Sequence, residues 1–512
     1  MLGTLTGSRS PAPWAPPAPA LWQGRGEPQH VGPSPWDRRV AGDVRESPTT
    51  TSEAGAETLL AARMTSGLQC NLNPGERLRS DVGWDFETDA EFAGQLAWMR
   101  AFIDRELIPL EPIFDELPQE EWRLAKGYLQ DQVKAQGLWG AFLGPELGGS
   151  GFGQLKLALM SEIIGRCMMS MTIFGVQAPD SGNMELLAHG ATDGQKERWL
   201  WPNLRGEISS AFALTEPFFA GSDPTVIGTT AIADGDEWVI NGRKWFITNA
   251  SVADIILVFA ETSPDGRPHH HASVFIVPAG TPGMEIVRDI GTMAHPDVAY
   301  GRPGNHAEIV FRDCRVPADH LIGQPGDGFV LAQQRLGGGR IHHAMRWLGM
   351  AQRSLDIMGE RAVSRTSHGK LLAQHQMIQD YFALSHTEIQ AARLLTFQTA
   401  WKVDKYGAAA VRADLGMVKA HVSKVVLAVL DRTIQVCGAL GYSSDLPVEA
   451  WYRSTRFGPI GDGPDELHKS VLARTLLKEY RPVEGWPTEH IPSRRPAAQE
   501  RWAELRVRAG LG

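Results

Sequence analysis

Three apolar stretches of roughly 25 to 35 residues at helical spacing begin near Arg340, Leu371 and Ala408, and their length constrains the fold most. Helices that long must bury an apolar stripe, which they do by packing as antiparallel neighbours in a bundle. The region upstream follows a different period. From about Ile208 the pattern is that of strands, with candidates at Ile255 to Ala260, Ala272 to Val277, Gly283 to Arg288 and His306 to Phe311. Trp238 to Ile240 and Arg243 to Thr248 flank Asn241-Gly242, the signature of a two-residue hairpin turn. Before that the chain is helical again. Phe92, Leu96, Met99, Ile103 and Leu107 recur at helical intervals behind a Thr88/Glu91 capping-box spacing, and further stretches cover Glu120 to Gln136, Leu155 to Met171 and Gln195 to Leu204.

The expected architecture is therefore α+β: an N-terminal helical domain over 85–208, a central β domain over 209–328 and a C-terminal long-helix bundle over 329–481. Residues 1–63 are rich in Pro, Ala, Gly, Ser and Thr and read as a disordered leader, with Met64 as an alternative initiator. Pro482 ends the bundle, and the Arg- and Glu-rich tail 482–512 reads as a solvated or docking extension.

A formal charge of -9, from 50 basic and 59 acidic side chains, argues against nucleic-acid binding. No window reaches the roughly 18 apolar residues of a membrane span. Cys70, Cys167, Cys314 and Cys437 form no C-x-x-C pair, so they read as reduced thiols in a cytoplasmic protein rather than disulfides or zinc ligands. His269-His270-His271 falls in a Pro-rich connection, and His342-His343 face different directions on a helix with no third ligand placed beside them. No metal is expected. The triple glycine Gly337 to Gly339 precedes a helix without a βαβ unit, which makes a Rossmann site a poor reading.

Chemistry concentrates near the C-terminus. Gln435-Val-Cys-Gly438-Ala439-Leu-Gly441-Tyr442 and Tyr452-Arg-Ser-Thr-Arg456 precede Ile460-Gly461-Asp462-Gly463-Pro464-Asp465-Glu466, in which one carboxylate is pinned between glycines ahead of a helix. Read alone, Asp462 suits an N-cap or a turn as well as a base. With Thr215-Glu216-Pro217 through Gly221-Ser222-Asp223 in the right order, the chain from about Asp89 to about Tyr480 resembles the FAD-dependent acyl-CoA dehydrogenase family. Within it, Gly338-Gly339-Arg340-Ile341-His342-His343 and the Asp462 segment look most like the subgroup of family members ten and eleven.

The resemblance implies an oxidoreductase of lipid metabolism and fatty acid beta-oxidation, which converts an acyl-CoA thioester to the trans-2-enoyl-CoA and passes electrons to an electron-transferring flavoprotein. Asp462 would be the general base, its pKa raised by desolvation, at a position usually held by Glu. The hydride needs an acceptor that no side chain supplies, hence FAD. Phe212, Leu214, Thr215, Phe246 and Thr248 would line the flavin, Gly221 and Ser222 would approach flavin or substrate, and Arg340 and Gly463 would meet the substrate. One residue more than the common spacing stands between Pro217 and Gly221.

Arg365, Ser367, His368 and Gln376 match the segment that reaches the FAD of a neighbouring subunit, with Gln435, Gly438 and Ala439 on the other side of that shared site and Pro464 and Glu466 carried over at the base loop. A homodimer or homotetramer follows from the same resemblance. Each residue also has a plainer reading: Thr215 and Thr248 as strand residues, Phe246 as core, Arg365 as a helix-end charge, Arg340 as an exposed helix-start ion pair. Alternatives of other kinds are an oxidase or monooxygenase on the same fold and a non-catalytic DNA-associated flavoprotein.

Overall fold

In the computed structural model, the described residues are 88–482 and 494–511, apart from 148, 224, 264–266, 268, 299 and 338. The leader 1–63 lies outside them. Asp89, rather than a Thr88/Glu91 box, caps helix α1 (Ala90–Phe102): its Oδ1 accepts from Phe92 N at 2.8 Å. Helix α2 (Gln119–Ala135) is followed by Gly137 at φ 67, where the backbone turns left-handed. Helix α3 (Gln154–Ile164) stops short of the expected Met171. The reason is a close crossing: a Cβ on Gly165 would stand 2.0 Å from Arg346 O, and the chain turns there, resuming only as Ser170–Ile173. Helix α4 (Asp180–Gly190) and a broken run of Asp193–Gln195, Lys196–Leu200 and Trp201–Arg205 complete this helical part.

The strands are β1 (Ser210–Ala213), β2 (Thr230–Asp234), β3 (Glu237–Thr248), β4 (Ile255–Glu261), β5 (Ala272–Pro278), β6 (Met284–Ile290), β7 (His306–Pro317) and β8 (Leu321–Ile322). They form one sheet in the order β6-β7-β3-β2-β4-β5-β8, with β1 parallel to β4. Asn241-Gly242 is not a hairpin turn. It lies inside β3, where the register against β7 shifts between Ile240 and Gly242, and the turn from β2 to β3 is instead Gly235-Asp236, closed by the Asp234↔Glu237 pair. Asn241 supports the bulge through its side chain, which accepts from Asp313 N at 2.8 Å.

β4 and β5 are buried on both faces, which explains their unbroken apolar sequence. Ile255, Leu257 and Phe259 meet the helices through Met184, Leu186 and Trp199, while Ile256 and Val258 meet Phe311 and Val316 on the opposite side. Leu331 of α5 (Gly328–Gly337) joins the helical side, so the junction of α5 with α6 (Gly339–Ser364) is anchored to the sheet.

α6, α7 (Gln376–Tyr406) and α8 (Arg412–Cys437) are the long bundle helices, and their core is aliphatic with Trp347 and Trp451 at its edges. Between α6 and α7 stand the two-residue strands β9 (Thr366–Ser367) and β10 (Lys370–Leu371), joined by His368 at φ 50 and Gly369 at φ 78. Two positive φ angles are what a tight primed turn needs. Shorter helices α9 (Val448–Thr455) and α10 (Asp465–Leu477) frame the Asp462 loop, and the tail contains α11 (Arg495–Arg508), which buries none of its residues. No helix among the described residues is long and apolar enough to cross a membrane.

Candidate active site at the Asp462 loop

Asp462 does not cap α10. Pro464 occupies the N-cap position with no side-chain hydrogen bond, and Asp462 sits two residues earlier at φ 54, a left-handed conformation that Asp tolerates better than most residues. The loop is held from two helices. Lys419 of α8 donates to Gly463 O at 2.7 Å and to Asp465 Oδ1 at 3.0 Å, Ser423 donates to Asp465 Oδ2 at 3.1 Å, and His468 of α10 contacts Asp462 O at 3.1 Å. The Lys419 and Asp465 side chains are each 2% exposed, so this pair fixes the loop without facing solvent.

The Asp462 carboxylate keeps 34% side-chain exposure, although protein atoms crowd around it. Burial pushes its pKa up, the largest single effect, but His343, Arg335, Arg340 and Lys419 together bring it below the ordinary carboxylate value. The raised pKa expected from desolvation is therefore not found in the free protein. Facing cations outweigh burial, and the group stands ionised. His343 Nε2 is 3.5 Å from Asp462 Oδ2, and burial followed by the nearby Arg346 pushes the His343 pKa down to about 4, so a neutral imidazole meets a carboxylate.

Arg340 is not the exposed ion pair of the plainer reading. Its Nε is buried without a hydrogen-bond partner, and Asp462 is the charge that offsets its burial. An unpartnered buried donor facing a carboxylate fits contact with a ligand. Arg335 reaches Asn183 Oδ1 at 2.9 Å, lies 4.3 Å over the Phe212 ring and also acts on Asp462. It thereby spans the space between the base loop and the first strand.

The residues expected to line the flavin gather at the ends of β1 and β3. Thr215 Oγ1 donates to Trp245 O at 2.6 Å, Trp245 N donates to Thr215 O at 3.0 Å, and Thr248 Oγ1 lies 2.9 Å from His306 Nδ1. Phe246 is no core residue, being 45% exposed at φ 52. A small, half-open pocket is lined by Leu214, Thr215, Glu216, Phe219, Gly221 and neighbours, but not by Asp462. The Phe246 ring is bare, and the Gly221-Ser222 turn is exposed.

The longer loop is absorbed by a β-bridge between Glu216 and Phe219, with Phe219 packed where a Cβ on Gly228 would stand 2.5 Å away and Phe218 79% exposed. Glu216 accepts from Gly228 N, Thr229 N and the fully buried Lys244, which locks the base of this loop.

Arg365, Ser367, His368 and Gln376 lie on the β9–β10 turn and the start of α7, at the opposite end of α6 from Arg340. Gln435, Gly438 and Ala439 are at the end of α8, where Cys437 feels the charge of Arg361, so the two sets share one end of the bundle. The structure does not bring them to Asp462. Glu466 is exposed in the first turn of α10, and the buried carboxylate of that turn is Asp465. Missed in the sequence were Arg335, Lys419 and His468, together with the role of His343, although Arg340 and His343 show i, i+3 spacing on one helix face. Among the described residues no group of three His, Cys, Asp or Glu is arranged to hold a metal.

Residues 95–207, 211–314 and 326–477 match the acyl-CoA dehydrogenase N-terminal, middle and C-terminal domain models. The chain belongs to the acyl-CoA dehydrogenase family. It is 42% identical over 359 residues to the probable acyl-CoA dehydrogenase FadE2 of Mycobacterium tuberculosis, covering 69% of this chain and 86% of that one. It is 40% identical over 395 residues to acyl-CoA dehydrogenase family member 11 of Rattus norvegicus, covering 75% of this chain and 50% of that relative, so it spans about half the length of family member 11. The solved structure of a putative acyl-CoA dehydrogenase from Mycobacterium abscessus superposes with a TM-score of 0.73 at 37% identity, over 77% of this chain and all of that one. Helical, β and helical parts follow one another as in that family.

Proposed function

We propose that this chain is an FAD-dependent acyl-CoA dehydrogenase that forms a trans-2-enoyl-CoA and passes electrons to an electron-transferring flavoprotein. The observation that carries the proposal is an ionised Asp462, held in a left-handed loop among buried cations, one of which, Arg335, also lies over the ring of Phe212. Asp462 takes the proton from the carbon beside the thioester. Arg340, with its unpartnered Nε, donates to the substrate. Filling the cleft with an acyl chain expels water and adds to the desolvation of Asp462, the effect that raises its pKa toward the range a base needs. FAD, held by Phe212, Leu214, Thr215, Phe246 and Thr248, supplies the acceptor for the hydride leaving the neighbouring carbon. Gly221, Ser222 and Gly463 border the substrate.

Arg365, Ser367, His368, Gln376, Gln435, Gly438 and Ala439 form the second half of a cofactor site shared between subunits, which makes a homodimer or homotetramer the working unit. Met377, Leu394 and Trp401, apolar and exposed along α7, fit burial in such an assembly. Buried, unpaired Cys167, Cys314 and Cys437 fit a cytoplasmic setting.

The test is anaerobic flavin bleaching with a panel of acyl-CoAs of different length. Native holoprotein is expected to bleach with at least one of them, and Asp462→Ala to bleach about 10²- to 10⁴-fold more slowly with FAD still bound. Undiminished bleaching in the variant would remove Asp462 from the reaction, while rapid reoxidation by oxygen with peroxide release would identify an oxidase instead.

A further inference from the structure

Asp462 presents a problem of control. Its side chain is one methylene shorter than Glu, its backbone is in a strained left-handed conformation, and it has several cations within electrostatic reach: Arg335 from α5, Arg340 from α6 and Lys419 from α8. Arg346 from α6 lies close enough to feel the carboxylate as well. A carboxylate free to rotate would close an ion pair with one of these and lose its reach to a substrate carbon. Lys419 is already committed to Gly463 O and Asp465, and His468 to the Asp462 carbonyl, so neither is free to orient the carboxylate. One neutral group remains beside it. His343, one turn along α6 from Arg340, places Nε2 3.5 Å from Oδ2, slightly long for a hydrogen bond in the ligand-free site.

We propose that His343 is a positioning residue for the Asp462 base, its Nε2–H closing onto Oδ2 when substrate fills the cleft and holding Oδ1 toward the carbon that loses its proton. This inference rests on the reading of Asp462 as base. A neutral donor suits the task because it orients the carboxylate without neutralising it, as a cation would. With burial holding the imidazole neutral, the device works across the physiological range and fails only in acid. The geometry also gives the adjacent histidines separate duties, since His342 Nε2 is buried without a partner while His343 faces the base.

The experiment compares holoprotein with His343→Ala, His343→Gln and Asp462→Asn, after absorbance confirms FAD occupancy and circular dichroism confirms folding. Three readouts are taken: deuterium uptake from D2O at the carbon beside the thioester, the pH profile of anaerobic flavin reduction, and the carboxylate titration of Asp462 by difference infrared against Asp462→Asn. His343→Ala is expected to slow proton exchange and kcat 10- to 100-fold with KM nearly unchanged. Loss of a donor to the ionised form should move the acid limb of the pH profile and the infrared titration upward together. His343→Gln, which keeps an N–H donor, should recover part of the rate and of the pH shift. If His343→Ala shows native exchange and an unmoved titration while Asp462→Asn is inactive, the positioning role is wrong and the base assignment stands. If Asp462→Asn still exchanges the proton, the base assignment itself falls.

Discussion

At the scale of single residues, the site departs from ordinary backbone and ordinary titration. Phe246, His368 and Asp462 all adopt positive φ without being glycine. Such conformations persist only where the surroundings over-determine them, and here the surroundings are Trp245–Thr215, the β9–β10 turn and the Lys419–Asp465 pair. His342 and His343 carry a further consequence. Burial holds their pKa values down to about 3 and about 4, against an ordinary 6.5. Below pH 6.5 the unfolded chain therefore takes up protons that the fold refuses, so stability is lost as pH falls from about 6.5 toward 4. Urea midpoints at pH 7 and pH 4.5 should show native protein losing on the order of 2 kcal/mol more than His342→Asn over that interval.

At the scale of elements, distant side chains do work that local sequence does not. The first amides of α3 are capped by Asp404 of α7, whose carboxylate accepts from Gln154 N at 2.6 Å and Leu155 N at 3.0 Å. α3 and α6 approach so closely that a Cβ on Gly349 would stand 1.9 Å from Glu162 O. α8 and α10 are joined by Lys419 and Asp465, and that pair holds the Asp462 loop. Lys419→Met is expected to lower stability by about 3–5 kcal/mol, because Asp465 would be left charged and buried. Pairing it with Asp465→Leu should restore much of the loss in urea denaturation, yet flavin bleaching should stay slow because Gly463 O has lost its anchor.

At the scale of the whole molecule, α6 sets the distance between two sites. From Arg340 to Arg365 the helical rise amounts to about 38 Å, too far for one flavin ring to meet both ends. In the proposed reaction Arg335, Arg340 and Asp462 stand at the reacting end, while Arg365 and the Gln435–Ala439 turn stand at the far end, as a cofactor shared between subunits would require. Arg365→Gln is expected to weaken FAD binding about 10- to 100-fold, measured by fluorescence on dilution, while leaving the pH profile of bleaching unchanged in protein saturated with FAD. Light scattering on the native chain should report a dimer or larger.

The helical, β, helical order and the positions of the long bundle helices are local properties, carried by apolar periodicity at 3.6 and 2.0 residues, and so they were readable from the chain alone. The loop ahead of α10 was readable too, because glycines flanking one carboxylate leave a short contiguous mark. Asn241-Gly242 misled because the same dipeptide serves a turn or a bulge, and only pairing with β7 decides between them. The charge state of Asp462 was equally beyond reach. It depends on Arg335, His343 and Lys419 arriving from three helices, and a balance between burial and facing cations exists only once those helices have packed.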